Sequence, residues 1–255
     1  MHFNFDFSSA QILWTLTFAA LLVLLVVLLG RDRVRRFPWF TVSMTLLALR
    51  MLTSRLLYRR LAMMVSEEIF LTLADLASIA AVLVAAEMAR RAFATAGRRR
   101  WIAGTAAVLA VGGGVVAFWG PWPAYKTLLA GSTISVLRVM ELFAQKTDLL
   151  ANVLMIQVGL LVVIFGRYFK ANWHSHVQQV VIGLSMASLT DLTIRGTLQY
   201  VALHTTIHSQ ADYKKVMGLI NTLNNANSIV FLVVLVWFIA CLWIDEPGIE
   251  DGDQP

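Results

Sequence analysis

Long apolar runs, separated by short basic or polar stretches, cover nearly the whole chain. Each run approaches the roughly 20 residues that a helix needs to cross a bilayer. The pattern therefore predicts an all-α fold, a polytopic transmembrane bundle of seven helices in which one domain covers residues 1–244. The predicted spans are residues 9–29, 37–57, 68–88, 101–119, 149–169, 177–203 and 216–244.

Residues 124–148 fit more than one structure. They are apolar on average, but Lys126, Arg138 and Glu141 make this stretch less hydrophobic than its neighbours. We favour an interfacial helix or an outer extension of the fifth helix over an additional crossing. A bundle of eight spans remains the alternative, and it would place the acidic tail, residues 245–255, outside the cell.

The distribution of basic residues predicts the orientation. With seven spans and an outer N-terminus, the basic residues concentrate in cytoplasmic loops, as the positive-inside rule requires. The C-terminus and its acidic tail then lie in the cytoplasm. No basic residue precedes the first apolar run, which argues against a cleaved signal peptide. The cytoplasmic set is Arg31, Arg33, Arg35, Arg36, Arg90, Arg91, Arg98, Arg99, Arg100, Arg167 and Lys170.

Composition agrees with a membrane protein. The chain is 58% hydrophobic and 14% charged, whereas soluble domains average about 45–50% apolar and about 25% charged residues. The formal net charge is +6. Because the basic residues lie between apolar runs, we expect contact with the lipid bilayer and its anionic lipids, and no binding of nucleic acid. The single cysteine, Cys241, lies within an apolar run and cannot form an internal disulfide.

Several short motifs resemble a family. They include Gln157-Val-Gly-Leu-Leu, Phe165-Gly-Arg-Tyr-Phe169, Trp173 and Arg36-Phe-Pro-Trp-Phe40. On these motifs the chain resembles the uncharacterised seven-helix inner-membrane proteins of acidobacterial type. The resemblance implies seven helices and a bacterial inner (plasma) membrane location. It implies no activity, ligand or catalytic residue.

The sixth predicted span carries an acid and a base within its apolar run. Asp191 and Arg195 are separated by one helical turn, so they share a face. Ser185, Ser188 and Gln199 fall on the same face. A charged side chain at a helix centre costs about 2.5–3.5 kcal/mol on insertion scales. We therefore expect this face to point into the bundle, in its outer half, within reach of the second, third or seventh helix.

Other helices carry polar groups at similar depth, which predicts a cavity that opens to the outside. The candidate ligand-binding residues are Arg50, Asp75, Asp191, Arg195, Gln199, Asn221, Asn224 and Asn225. The alternative is that these groups only hold the helices together, with Arg50 paired to Asp75 and Asp191 paired to Arg195. Interhelical polar contacts of that kind average about 0.6 kcal/mol.

Metal, cofactor and catalytic signals are weak. His204, His208 and Asp212 have metal-ligand spacing if they are helical, but we favour a solvated outer loop over a metal site. The histidines divide between the two membrane sides, so they predict no haem site, and we expect no cofactor. No zinc-protease, nucleophile-elbow or phosphate-loop motif is present, so we expect a protein that is not an enzyme.

The favoured function is a non-enzymatic sensing or ligand-binding module. Its ligand would be a small anionic or zwitterionic solute, and its output would pass to a cytoplasmic or membrane protein partner. One alternative is a transporter of small solutes or protons, in which Glu87 and Gln157 extend the polar path inward. The other alternative is a structural or assembly protein of the membrane.

Overall fold

The computed structural model describes residues 9–56, 63–93, 98–119, 122, 133–165, 175–205 and 209–245. Within these residues the chain forms seven helices and no strand. The helices are α1 (Ser9–Gly30), α2 (Pro38–Leu56), α3 (Met63–Ala92), α4 (Arg98–Phe118), α5 (Thr133–Phe165), α6 (His176–His204) and α7 (Gln210–Trp243).

Successive helices run in opposite directions, and contacts at one end of the bundle tie several of them together. The Glu87 carboxylate near the end of α3 accepts hydrogen bonds from the backbone N–H groups of Trp39 and Phe40 at the start of α2. His176 at the start of α6 contacts the carbonyl of Ile244 after α7. We call this the basic end, because it holds Arg31, Arg33, Arg35, Arg36, Arg90 and Arg91.

Six of the described helices, all except α4, form a closed ring around an apolar core. α1 packs between α7 and α2, α3 packs between α2 and α5, and α6 packs between α5 and α7 and also contacts α3. Among the described helices, α4 packs only on α5. The core fills the half of the bundle near the basic end, with Leu24, Phe40, Met88, Val180 and Phe238 among its fully buried side chains.

Two glycines allow α5, α6 and α7 to approach closely. A Cβ atom on Gly159 of α5 would overlap the Ser185 side chain of α6, and the Ser185 hydroxyl donates a 2.9 Å hydrogen bond to the Met155 carbonyl. A Cβ atom on Gly183 of α6 would overlap the Phe238 ring of α7. Small residues at helix contacts are typical of membrane bundles. These two close contacts set the positions along the helix axes at which the polar faces of α5, α6 and α7 meet.

Among the residues that the structure describes, five helices are long and apolar enough to cross a membrane: α1, α3, α5, α6 and α7. α2 is not among them and carries Arg50 and Arg55, and Gly104–Phe118, the part of α4 whose side chains are described, is a shorter apolar stretch. The all-helical prediction is confirmed, and each of the seven described helices overlaps one of the predicted spans.

The ambiguous stretch is helical where it is described. α5 runs without a break through 33 residues from Thr133, which corresponds to about 50 Å of helix. Its first half is thus an extension of the fifth helix, one of the two favoured alternatives. Residues 123–132, the segment 166–174 that ends the predicted fifth span, and residues 246–255 of the acidic tail lie outside the described residues.

Candidate functional site

A cavity of about 500 Å³ lies between five helices, and we call it the polar chamber. Its walls come from α2, α3, α5, α6 and α7, and they combine charged, amide and hydroxyl side chains with small or apolar ones. The lining includes Ser43, Met44, Leu47, Arg50, Ala74, Ser78, Gln145, Asp148, Asn152, Met155, Leu184, Ser188, Asp191, Arg195, Asn227 and Phe231.

An arginine held between two aspartates forms one wall of the chamber. The Nε of Arg195 lies 2.7 Å from the Asp191 Oδ2 atom, one turn earlier on α6. The other side of the same guanidinium is hydrogen-bonded to Asp148 of α5. Arg195 therefore links α6 to α5, and its charge is compensated by two carboxylates.

Two asparagines complete the surroundings of Asp191. The Asn152 amide of α5 donates to Asp191 Oδ2 at 3.0 Å, and the Asn227 amide of α7 donates to Asp191 Oδ1 at 3.3 Å. Both carboxylate oxygens are thus used, which lowers the cost of placing the charge in an apolar span. The expectation that Asp191 and Arg195 face the bundle interior agrees with these contacts, and the contact with α7 falls within the predicted reach.

Arg50 of α2 is arranged differently. Its guanidinium lies over the Phe70 ring of α3, 4.7 Å from the ring centroid. Among the described residues, no carboxylate forms an ion pair with the Arg50 guanidinium, although Asp148 and Arg195 are close enough to interact with it electrostatically. The chamber holds two arginines and two aspartates, so its formal charge is zero. Because Asp148 and Asp191 both contact Arg195, Arg50 is, within the described part of the chamber, the cation without a contacting anion.

Arg50 and Asp191 lie at similar distances from the basic end of the bundle. At about 1.5 Å of rise per residue, Arg50 lies about 18 Å from the start of α2, and Asp191 lies about 22 Å from the start of α6. Both helices begin at the basic end. The hydrocarbon core of a bilayer is about 30 Å thick. The charged groups therefore lie in the half of the bundle remote from the basic end.

A second cavity of about 510 Å³, here called the vestibule, adjoins the chamber on the side remote from the basic end. It lies between α2, α3 and α5. Arg50, Ala74, Ala144 and Gln145 line both cavities and form the boundary between them. The vestibule is lined further by Met64, Glu67, Phe70, Leu71, Ile134, Leu137, Arg138 and Glu141. A solute that entered through the vestibule would meet Arg50 before reaching Asp191.

The floor of the chamber is apolar. Met44, Met155 and Phe231 line it, and below them the Phe40 and Phe238 rings pack edge to face with centroids 5.5 Å apart. Glu87 is not part of the chamber lining. Its carboxylate accepts hydrogen bonds at the start of α2 and pairs with Arg91 at 3.0 Å.

Other candidate residues lie away from the chamber. Asp75 is half-buried on α3, its Oδ1 atom has no hydrogen-bond partner among the described residues, and the suggested pair with Arg50 is not formed. Gln199 is half-buried one turn beyond Arg195 and is not part of the chamber lining.

The predicted asparagines of α7 are also outside the chamber. Asn221 and Asn224 are exposed, and the Asn225 amide donates to the Ser9 hydroxyl of α1 at 3.4 Å. Asn227, which we did not predict from the spacing, lines the chamber instead. A signal for it exists, because the buried stripe of α7 contains Phe238, Val234 and Leu235, and the same stripe extends back through Phe231 to position 227.

The weak metal candidate is only partly described. His208 lies outside the described residues. His204 stacks on the Tyr200 ring and its Nδ1 contacts the Tyr200 carbonyl, while Asp212 and Ser209 form the N-terminal cap of α7. Within the described part of the chain, no group of three or more metal-ligating side chains is assembled.

Comparison with protein-family models, with curated proteins and with solved structures finds no match for this chain.

Proposed function

We propose that the protein binds a small anionic or zwitterionic solute in the polar chamber and acts as a non-enzymatic sensing or ligand-binding module. We further propose that all seven helices cross the bacterial inner membrane, with the N-terminus outside and the basic end in the cytoplasm. The alternation of helix directions and the concentration of arginines at one end support that topology. In this orientation the vestibule faces the outside and gives the solute access to the chamber.

The proposal rests on Arg50, whose guanidinium lies over Phe70 and, among the described residues, contacts no carboxylate. A guanidinium offers five N–H donors in a planar fork that fits a carboxylate or a phosphate. Arg195 already uses its fork on two aspartates, whereas the contact of Arg50 is with the face of Phe70. An anionic group of the solute would therefore meet Arg50 at the vestibule boundary. An ammonium or hydroxyl group of the same solute would lie toward Asp191 and Ser188.

The apolar floor favours binding over passage. A polar solute that continued toward the basic end would have to separate the packed Phe40 and Phe238 rings and the core around them. Burying polar groups without hydrogen-bond partners costs several kcal/mol on transfer scales. The chamber thus has the form of a site that is open on one side and closed on the other.

A thermal-shift assay tests the proposal on the purified full chain. The probes are acetate, glycine, glutamate and inorganic phosphate, each titrated up to about 100 mM. A probe present at 100 times its Kd stabilises the folded state by about 2.7 kcal/mol. For a chain of this size that raises the midpoint by roughly 5–10 °C. We expect at least one probe to do so.

Two arginines of the same helix provide the matched comparison. Arg50→Gln is expected to abolish the shift, whereas Arg55→Gln is expected to preserve it, because Arg55 is exposed and contacts Trp14 outside the chamber. An equal shift in wild type and Arg50→Gln, or no shift with any probe, contradicts the proposal.

Transport is the second candidate, and one observation favours it. Gln178 is 1% exposed in the half near the basic end, and neither its amide nitrogen nor its amide oxygen has a hydrogen-bond partner among the described residues. The Oε1 atom of Gln157 is similarly unpartnered there. These amides are the groups that a polar path across the floor would use. Uptake of a binding probe into proteoliposomes, abolished by Gln178→Leu while binding is retained, would support transport over sensing.

A further inference from the structure

A second, chemically different recess lies on the side of the bundle. This apolar groove has a volume of about 370 Å³ and is bounded by α3, α4 and α5. Its walls are almost wholly hydrocarbon. They comprise Val82, Ala85, Ala86, Ala89, Phe93, Gly104, Thr105, Val108, Leu109, Leu154, Val158, Leu161 and Phe165.

The groove lies where, within the described helices, α4 packs on α5 without contacting α3. α4 is anchored through Gly112, where a Cβ atom would lie 3.2 Å from Leu150 and 3.3 Å from Leu154 of α5. Nearer the basic end, a Cβ atom on Gly104 would meet no atom of the described residues within 4 Å. α4 makes no helix contact with α3 among the described elements, so the space between them is not filled by these parts of the chain.

The length of the groove matches one leaflet of a bilayer. On α3 it extends from Phe93 back to Val82, and on α5 from Phe165 back to Leu154. Each distance is about 11 residues of helix, or about 16 Å. Half of a hydrocarbon core of about 30 Å is about 15 Å. The groove therefore extends from the basic end to the middle of the membrane, which is the space that one acyl chain occupies.

The groove begins where positive charge is concentrated. Arg90 is exposed at the end of α3, and α4 opens with Arg98, Arg99 and Arg100 in its first turn. Basic residues at the end of a recess between membrane helices are typical of sites for anionic lipid headgroups. We infer that the apolar groove binds one anionic phospholipid, with an acyl chain between α3 and α4 and the phosphate at the basic end of the groove, near Arg90 and the first turn of α4. This site is separate from the polar chamber and does not depend on the proposed solute.

Native mass spectrometry of the delipidated full chain tests the inference. The protein is titrated with phosphatidylglycerol and, in parallel, with phosphatidylcholine of the same acyl chains. We expect one phosphatidylglycerol to be retained, with at least roughly a fivefold preference over phosphatidylcholine. Equal retention of the two lipids would overturn the inference, because lipids that merely surround a protein are not selected by headgroup.

Two glycine variants of the same helix test the groove itself. Gly104→Leu places a side chain in the groove and is expected to lower retention of phosphatidylglycerol at least roughly fivefold. Gly113→Leu is the matched control, because Gly113 is exposed and lies outside the groove, and a Cβ atom there would meet no atom of the described part of the chain within 4 Å. Equal retention in the two variants overturns the assignment to the groove.

A charge variant tests the headgroup site and keeps the inference open to refutation if Gly104→Leu fails to fold. In the combined variant Arg90→Gln, Arg98→Gln, Arg99→Gln and Arg100→Gln, retention of phosphatidylglycerol is expected to fall to the level of phosphatidylcholine. Unchanged retention overturns the inference. A second copy of this chain in the groove would instead appear as a dimer that Gly104→Leu disrupts, and that result also overturns it.

Discussion

Replacing Asp191 with alanine removes the carboxylate on which Arg195, Asn152 and Asn227 converge. The chamber is left with two arginines and only Asp148 to compensate them. The two asparagine amides also lose their acceptor. We therefore expect Asp191→Ala to destabilise the fold even though it removes no large apolar side chain.

The expected loss of stability follows from how exposed the Asp191 and Arg195 side chains are. Removing one partner of a buried ion pair costs about 3–5 kcal/mol, whereas exposed pairs contribute about 0.2–1 kcal/mol. The Asp191 side chain is 23% exposed, and that of Arg195 is 39% exposed and keeps its contact with Asp148. We expect an intermediate loss of about 2 kcal/mol. The midpoint of thermal unfolding should then fall by roughly 4–8 °C.

The assay is a double-mutant cycle in one detergent or nanodisc preparation. Asp191→Ala, Arg195→Ala and the double variant are compared by thermal unfolding, and the expected coupling energy is about 1–2 kcal/mol. Glu68→Ala is the control, because Glu68 is exposed on α3 outside both cavities and should change stability by less than about 0.5 kcal/mol. Strictly additive losses in the double variant would show that Asp191 and Arg195 do not interact.

Three further variants test the framework of the bundle by thermal unfolding. Glu87→Ala removes a carboxylate cap from α2, and a lost cap costs about 0.5–2 kcal/mol; no loss of stability would contradict the contact. Gly159→Ala forces a methyl group against Ser185 and should lower the free energy of unfolding by about 1–3 kcal/mol. Gly113→Ala should leave it unchanged, and equal effects of the two variants would contradict the close packing. Asp245→Asn removes a partner of Arg31 and Arg33, but its carboxylate is 77% exposed, so the loss should stay below about 1 kcal/mol and vanish at high salt.

The helices could be predicted from the sequence because an apolar run is a local signal. Residues 124–148 are ambiguous for the same reason, since Arg138 and Glu141 lower the local hydrophobicity and a local signal does not show which residues surround them. In the structure, Arg138 and Glu141 line the vestibule. Residues 133–148 are helical because they extend α5, and they carry charges because this part of α5 lies in polar surroundings.

The partners of the charged groups could be predicted only where they lie on one helix. The spacing of Asp191 and Arg195 was sufficient to predict their pairing. The contact of Arg195 with Asp148 depends on the relative height and rotation of α5 and α6. Those quantities are set by close contacts such as that of Gly159 with Ser185. Arg50 and Asp75 fit each other by depth, but Arg50 instead lies over Phe70.

Labelling of a single introduced cysteine distinguishes a solvent-accessible chamber from a packed polar contact. Cys241 is the only cysteine, so Cys241→Ser provides a background without thiols. In that background, Ser188→Cys lies in the chamber lining, and Leu189→Cys lies on the neighbouring position, which is 57% exposed on the outer surface of the bundle.

The reagent is a small, charged methanethiosulfonate that does not cross membranes, added to either side of sealed vesicles. We predict that Ser188→Cys reacts at least roughly tenfold faster than Leu189→Cys, and only from the side remote from the basic end. A solute that binds at Arg50 should slow this reaction. Absence of labelling at Ser188→Cys, or equal labelling of both positions, would contradict a solute-accessible chamber and leave the polar groups as contacts that hold the helices together.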